Sequence, residues 1–209
     1  MTLRYDPEAA TAHLLAADPV LARAVAAVGP LAMRHGGDPY EQLVRAILYQ
    51  QLAGPAAIAI ERRFRALYPD PEAVPTPEQL LSTDLETFRS AGVSRQKAGY
   101  LLDLAAKAQA GVVGAFLADL PDEEVIAHAT QVKGIGRWTA DMLLMFCLGR
   151  PDVLPVGDLG IKNAVMRLYG HDAHIPVKEL EALAEPWRPY RTAASRYLWQ
   201  WLDVKPPEG

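Results

Sequence analysis

The sequence predicts an all-α fold, and three observations support this. Segments of helical length are separated by short joints that carry proline or glycine, of which the chain has 17 and 15. Apolar residues recur at spacings of three and four within those segments, as on the buried face of a helix. No stretch alternates like a half-buried strand, and residues 153–156, VLPV, are too short and are interrupted by proline. With 209 residues, the chain is long enough to bury its own core.

Capping residues mark the helix starts in the first half of the chain. Asp6 and Asp38 each precede a proline, which is the usual order of an N-cap and a first helical residue. Thr76 and Thr83 each begin a pattern that is typical of a capping box. The helices expected before these boxes cover residues 6–16, 18–28, 38–51 and 54–68.

The second half predicts further helices with glycine-marked joints. The expected segments are residues 94–110, a helix after Pro121, residues 137–148, residues 158–170, and a last helix after Pro189 that ends near residue 202. On that last helix, Tyr197 and Trp201 belong to one apolar stripe, whereas Trp199 lies away from its centre. An indole off the core face either packs on another domain or is available to a ligand.

Composition excludes several classes of protein. A single cysteine, Cys147, rules out a disulfide framework, a four-thiolate zinc site and a four-cysteine iron–sulfur cluster, and it fits a reducing, cytoplasmic compartment. The longest apolar run, residues 142–149, is far shorter than the ~20 residues of a membrane span. A net charge of −4 argues against a general nucleic-acid binder, which usually carries a basic surface.

The most informative segment is residues 130–140, TQVKGIGRWTA, which lies between two predicted helices. Gly134 and Gly136 allow a ligand to approach the main chain, and the following helix start favours an anion. Lys133 and Thr139 add a cation and a hydroxyl, so a phosphate is a suitable ligand. An ordinary tight turn between helices explains the same two glycines, and the hairpin alone leaves both interpretations open.

Four blocks in order extend this pattern over most of the chain: residues 40–52, YEQLVRAILYQQL; residues 132–141, VKGIGRWTAD; residues 154–162, LPVGDLGIK; and residues 187–191, WRPYR, followed by YLW at 197–199. Together they resemble the helix–hairpin–helix DNA glycosylase superfamily, and most nearly its DNA-3-methyladenine glycosylase II branch. The β-rich N-terminal domain of that branch is expected to be lacking, because the first residues predict helices. The resemblance implies two helical domains flanking a cleft: residues 39–148 with the hairpin, and residues 1–38 plus 149–209.

The resemblance implies a catalytic role for Asp158, which in the family stabilises the cation that forms on the deoxyribose. An N-cap is the commoner role for an aspartate before a helix, and the two roles are compatible. Trp138, Met142 and Trp199 match positions that line the base pocket, although plain packing is the alternative for the tryptophans. Trp138 also stands where bifunctional members carry a lysine that forms a Schiff base, so no strand-cleaving activity is expected.

The resemblance further implies how DNA is held. Gln51 matches the side chain that fills the gap left by a flipped base, with a solvent-exposed helix end as the alternative. Lys133, Gly134, Gly136 and Thr139 match DNA-contacting positions. The backbone carbonyls of Thr130, Val132 and Ile135 match positions that bind a structural Na+ or K+ ion, whereas no cofactor is required for the reaction.

The expected function is therefore hydrolysis of alkylated purines of the 3-methyladenine class from double-stranded DNA by a monomeric enzyme with no membrane partner. A glycosylase for deaminated or oxidised bases and a non-catalytic hairpin module remain the alternatives. The acidic net charge is compatible with this function because four cations surround the two central blocks: Lys133, Arg137, Lys162 and Arg167. Salt-sensitive binding to phosphates is expected from them.

Overall fold

The computed structural model describes residues 4–31 and 35–204. Within them the helices are α1 (Pro7–Ala17), α2 (Pro19–Val28), α3 (Pro39–Tyr49), α4 (Gly54–Arg65), α5 (Pro77–Leu81), α6 (Leu85–Ser90), α7 (Arg95–Gln109), α8 (Asp122–Ala129), α9 (Arg137–Met142), α10 (Leu159–Tyr169), α11 (Val177–Leu183) and α12 (Arg191–Asp203). Short 3-10 helices cover Ala115–Asp119 and Glu185–Trp187, and a π-helical turn covers Leu143–Cys147. The described residues contain no strand, which confirms the all-α prediction. None of these helices is long and apolar enough to cross a membrane.

The backbone contacts divide the chain into two compact units. Residues 37–143 form the first, which we call the continuous unit, and the described residues of 1–36 and 144–209 form the second, the two-segment unit. Residues 144–148, which the sequence analysis places with the hairpin, group with the two-segment unit.

Helix α7 is the centre of the continuous unit, where it packs against α3, α5 and α6. Leu43 and Ile47, four residues apart on α3, are completely buried and face this core. Phe64 and Phe88 stack at 6.2 Å between ring centroids, which extends the core towards α4 and α6. Burial of each such side chain contributes roughly 1.5–3 kcal/mol, so apolar packing holds α7 in place.

In the two-segment unit, α12 packs against α1, α2 and α10. The fully buried Tyr197 and Trp187 lie in this core, whereas Trp201, expected on the same stripe, is only half-buried. Asp18 caps α2 and also accepts hydrogen bonds from Tyr169 and from Nε1 of Trp187, the latter at 2.8 Å. One carboxylate thereby connects segments that lie far apart in the chain.

The predicted caps are correct at Asp6, Asp38 and Thr76, and Thr76 forms a complete capping box with Gln79. The box predicted at Thr83 is wrong, because Asp84 is the N-cap of α6 and accepts from the Thr87 amide. A neighbouring aspartate competes well for this position, since its carboxylate accepts amide hydrogen bonds.

The helices differ from the prediction in several further places. The helix expected over residues 137–148 ends at Met142 and continues as the π-helical turn, which apolar periodicity does not distinguish from an α-helix. The helix expected to reach residue 68 ends at Arg65. Helix α11 was not predicted, although Pro176 before it and Glu179 in its first turn are usable signals.

Candidate functional site

The hairpin joins α8 to α9 through residues 130–136. Gly134 has a φ of +81°, and a Cβ placed there would lie 2.3 Å from Cδ2 of Tyr100. Glycine is therefore required at this position both by the backbone conformation and by the aromatic ring on α7. Gly136 is the N-cap of α9 and has no side chain to accept hydrogen bonds from the first helical amides. The helix starts at the next residue, Arg137.

Both hairpin cations have acidic partners. Nζ of Lys133 lies 3.7 Å from Asp103, and the guanidinium of Arg137 contacts Glu123 at 2.9 Å and Asp141 at 3.2 Å. The sequence predicts the two cations but not these carboxylates, which reduce the positive charge at the hairpin. Phosphate binding there must compete with these ion pairs, of which only the one between Arg137 and Glu123 is exposed on both sides and therefore weak.

Asp141 is the one buried member of this group, on the inner side of α9. Burial raises the pKa of its carboxyl to about 6, against the opposing effect of the Arg137 guanidinium. The charged form is therefore costly in the folded state, and Arg137 offsets only part of that cost.

Gln51 does not lie on the apolar stripe of α3, which corrects the expectation that it continues that helix. Helix α3 ends at Tyr49, Gln50 is its C-cap, and Gln51 has a φ of +56° with an exposed side chain. A left-handed backbone at a residue other than glycine is uncommon and marks a strained turn. The chain thus presents Gln51 outside the helix rather than within the core.

Many of the predicted site residues line a cavity of about 560 Å³ in the continuous unit. Gln51, Gly134, Trp138, Thr139 and Met142 all line it, whereas Lys133 and Gly136 do not. Trp138 is 50% exposed, and the cavity that it lines is concave.

Sequence reasoning did not identify the part of this cavity that α7 contributes. Ser94, Gln96, Lys97 and Tyr100 line it, together with Tyr49 from α3. Nζ of Lys97 donates to the carbonyl of Leu48 at 2.6 Å, and burial lowers the pKa of this ammonium. The spacing of three between Ser94, Lys97 and Tyr100 indicates that they share one face of the helix, but it does not show what that face meets.

The carboxylate of Asp158 is the centre of a second arrangement, which lies in the two-segment unit. Asp158 is the N-cap of α10, and its Oδ1 accepts from the Ile161 amide at 2.8 Å and from Nε1 of Trp199 at 2.8 Å. Trp199 therefore stands off the core stripe of α12, as predicted, and meets the carboxylate.

Two further residues fit around this pair. The ring of Phe146, in the π-helical turn, stacks on Trp199 at 6.0 Å between centroids. A Cβ added at Gly160 would lie 2.8 Å from Cδ1 of Trp199 and 3.0 Å from Oδ1 of Asp158. The indole reaches the carboxylate only because residue 160 has no side chain.

The described residues contain no group of three or more His, Cys, Asp or Glu side chains that could hold a metal ion. The predicted ion ligands are instead backbone carbonyls of Thr130, Val132 and Ile135 on the hairpin. The Val132 carbonyl accepts from the Ile135 amide at 3.1 Å, which leaves the second lone pair of that oxygen for a cation.

Comparison with known proteins places this geometry in a family. The family model described as "HhH-GPD superfamily base excision DNA repair protein" matches residues 44–189. Alkylbase DNA glycosidase-like protein mag2 of Schizosaccharomyces pombe is 33% identical over 204 residues, covering 96% of each chain. DNA-3-methyladenine glycosylase 1 of the same organism is 40% identical over 166 residues, covering 78% of this chain and 72% of the relative.

A solved structure agrees with these sequence matches. The S. pombe 3-methyladenine DNA glycosylase Mag1, in complex with abasic DNA, superimposes with a TM-score of 0.80 at 37% identity. The match covers 91% of this chain and 95% of that one. The likeness inferred from four sequence blocks is thus confirmed over nearly the whole fold. The chain belongs to the HhH-GPD superfamily of base excision DNA repair proteins.

Proposed function

We propose that this protein is a monofunctional DNA glycosylase that removes alkylated purines of the 3-methyladenine class from duplex DNA and leaves an abasic site. The relatives named DNA-3-methyladenine glycosylases support the substrate class, and the Mag1 complex supports binding of damaged DNA. The observation that carries the proposal is the Asp158 carboxylate, held by the Ile161 amide and the Trp199 indole.

In the proposed reaction, the bond between the base nitrogen and C1′ of the deoxyribose breaks, and the base leaves with the bonding electron pair. Positive charge develops on the sugar, and the fixed Asp158 anion stabilises it. Water then attacks C1′ and releases a proton to the solvent, which leaves a hydroxyl group on C1′ of the abasic site. No cofactor takes part in these steps.

The substrate class follows from the chemistry of the leaving group. Alkylation at a ring nitrogen makes the purine cationic, so the base leaves without a strong general acid. Aromatic faces attract such cations by about 1–2 kcal/mol when desolvated, and we assign this role to Trp138, with Met142 as an apolar wall of the same cavity. Because Trp138 has no amine, it cannot attack C1′, and the strand is left intact.

DNA contacts are assigned to the elements around the hairpin. Gly134, Gly136, Lys133 and Thr139 would hold a phosphate at the start of α9, and a Na+ or K+ ion on the Thr130, Val132 and Ile135 carbonyls would add positive charge there. Gln51, exposed on its strained turn, would occupy the space of the extruded base.

The deciding experiment is release of free base from a methylated duplex by the wild type and by Asp158→Asn. We expect 3-methyladenine release to fall at least about 100-fold in the variant, while duplex binding persists. Asp172→Asn, at an exposed position of the same unit, is the matched control and retains activity.

Three results would redirect the proposal. Release of deaminated or oxidised bases instead would change the substrate class. Binding of the duplex without release of any base would favour a non-catalytic hairpin module. Strand cleavage without heat or alkali would contradict the monofunctional mechanism.

A further inference from the structure

The turn after α3 and the hairpin are joined by a direct hydrogen bond. Nε2 of Gln50 donates to the carbonyl of Gly134 at 2.9 Å, across 84 residues of sequence. Gln50 immediately precedes Gln51, the residue on the strained turn. The link therefore connects the side chain assigned to the gap in the duplex with the loop assigned to the phosphate.

Helix α7 supports both elements from one face. Lys97, Tyr100 and Asp103 follow at intervals of three; Lys97 contacts the end of α3 just before the turn, and the other two contact the hairpin. Lys97 donates to Leu48 near the end of α3, the Tyr100 ring lies against Gly134, and Asp103 accepts from the backbone amide of Lys133 at 2.9 Å. Because α7 is fixed by the buried core of the continuous unit, it can hold α3 and the hairpin in place.

The hydrogen bond of Gln50 to the hairpin also restricts the backbone at Gln51. A non-glycine residue with a φ of +56° persists only where its surroundings hold it. Gln50 is the neighbouring residue, and its side chain is anchored on the hairpin rather than on the helix that precedes it. Loss of the anchor frees the turn to relax and to withdraw Gln51.

We propose that Gln50 is a positioning residue that sets the place of Gln51 relative to the hairpin, so that base extrusion and the grip on the adjacent phosphate occur together. The proposal deepens the proposed glycosylase function and rests on it. Gln50 touches no reacting atom in this scheme. Its contribution is confined to substrates whose base must be extruded from a paired duplex.

The test compares base release from methylated duplex and from methylated single-stranded DNA, which needs no unpairing. Gln50→Leu removes the donor without adding charge, and Gln50→Glu removes it with nearly the same shape but adds a negative charge. We expect each variant to lose about tenfold in single-turnover rate on duplex and less than about threefold on single strands. Gln109→Leu removes a comparable exposed glutamine bond, 3.1 Å to Glu78, and serves as the control.

The possible results distinguish failure of this inference from failure of the proposed function. An equal loss on both substrates in the folded Gln50→Glu variant would show a merely structural role and overturn the inference alone. No base release by the wild type from either substrate would overturn the proposed function and the inference with it. Circular dichroism of each variant establishes folding, and Gln50→Glu decides the question if Gln50→Leu does not fold.

Discussion

The indole Nε1 of Trp199 and the backbone amide of Ile161 donate to the same oxygen of Asp158, each at 2.8 Å. One donor comes from the helix that Asp158 caps, and the other comes from α12, 41 residues away in sequence. The carboxylate is therefore oriented by two elements, so its position depends on the packing of α10 against α12.

Replacement of Trp199 by phenylalanine tests the indole donor. Trp199→Phe keeps an aromatic ring for stacking on Phe146 but removes one hydrogen bond to a charged group. Such bonds contribute roughly 1.5–3 kcal/mol, so we expect the rate of base release to fall about tenfold or more. Trp201→Phe, on the same helix and half-buried, is the control. Equal rates for the two variants would contradict a role for the Trp199 N–H.

Gly160→Ala tests the space that the indole occupies. The new methyl would lie within 3.0 Å of both Trp199 and Asp158, so the ring must shift. We expect a loss of about 1–3 kcal/mol in the free energy of unfolding, together with a loss of base release. In Gly157→Ala the methyl meets no atom within 4 Å, and stability is expected to change by less than about 0.5 kcal/mol. Denaturant unfolding of both variants makes the comparison.

Gly134→Ala separates backbone strain from steric overlap at the hairpin. Alanine at this φ costs roughly 1–2 kcal/mol, and contact with Tyr100 adds to that cost. In a Tyr100→Ala background we expect the penalty to fall to the backbone part alone. Gly111→Ala, at a φ of +71° with no atom nearby, measures that part separately. The same penalty in both backgrounds would exclude the ring as the cause.

Asp141 makes stability depend on pH. Because burial raises the pKa of its carboxyl to about 6, the folded state favours the protonated form more than the unfolded state does. Stability from this group is fully present below the unfolded pKa of about 4, and it is lost as pH rises through about 6.

Asp141→Asn removes that dependence. Between pH 4.5 and pH 7.5 we expect the stability of the wild type to fall relative to the variant by roughly 2 kcal/mol. Denaturant unfolding at both pH values measures the difference, with Asp119→Asn at an exposed position as the control. A constant difference across this range would show that Asp141 ionises normally.

Local sequence was sufficient to predict the helical fold, the hairpin and the helix start at Asp158. Caps and glycines act on the residues next to them, so Asp6, Asp38 and Thr76 marked helix starts before any packing was known. The same principle misassigned Thr83, where two adjacent residues compete for one N-cap. It also placed Gln51 within a helix, because apolar spacing cannot show where a backbone turns.

Only the tertiary structure decided which distant groups meet. The partner of Trp199, the acidic partners of Lys133 and Arg137, and the bond from Gln50 to Gly134 all depend on how helices pack. Sequence spacing defines one face of a helix but not the surface that this face meets, since that is determined by the core of each unit. The sequence therefore identified the family and most candidate residues, whereas packing determined how those residues are positioned and charged.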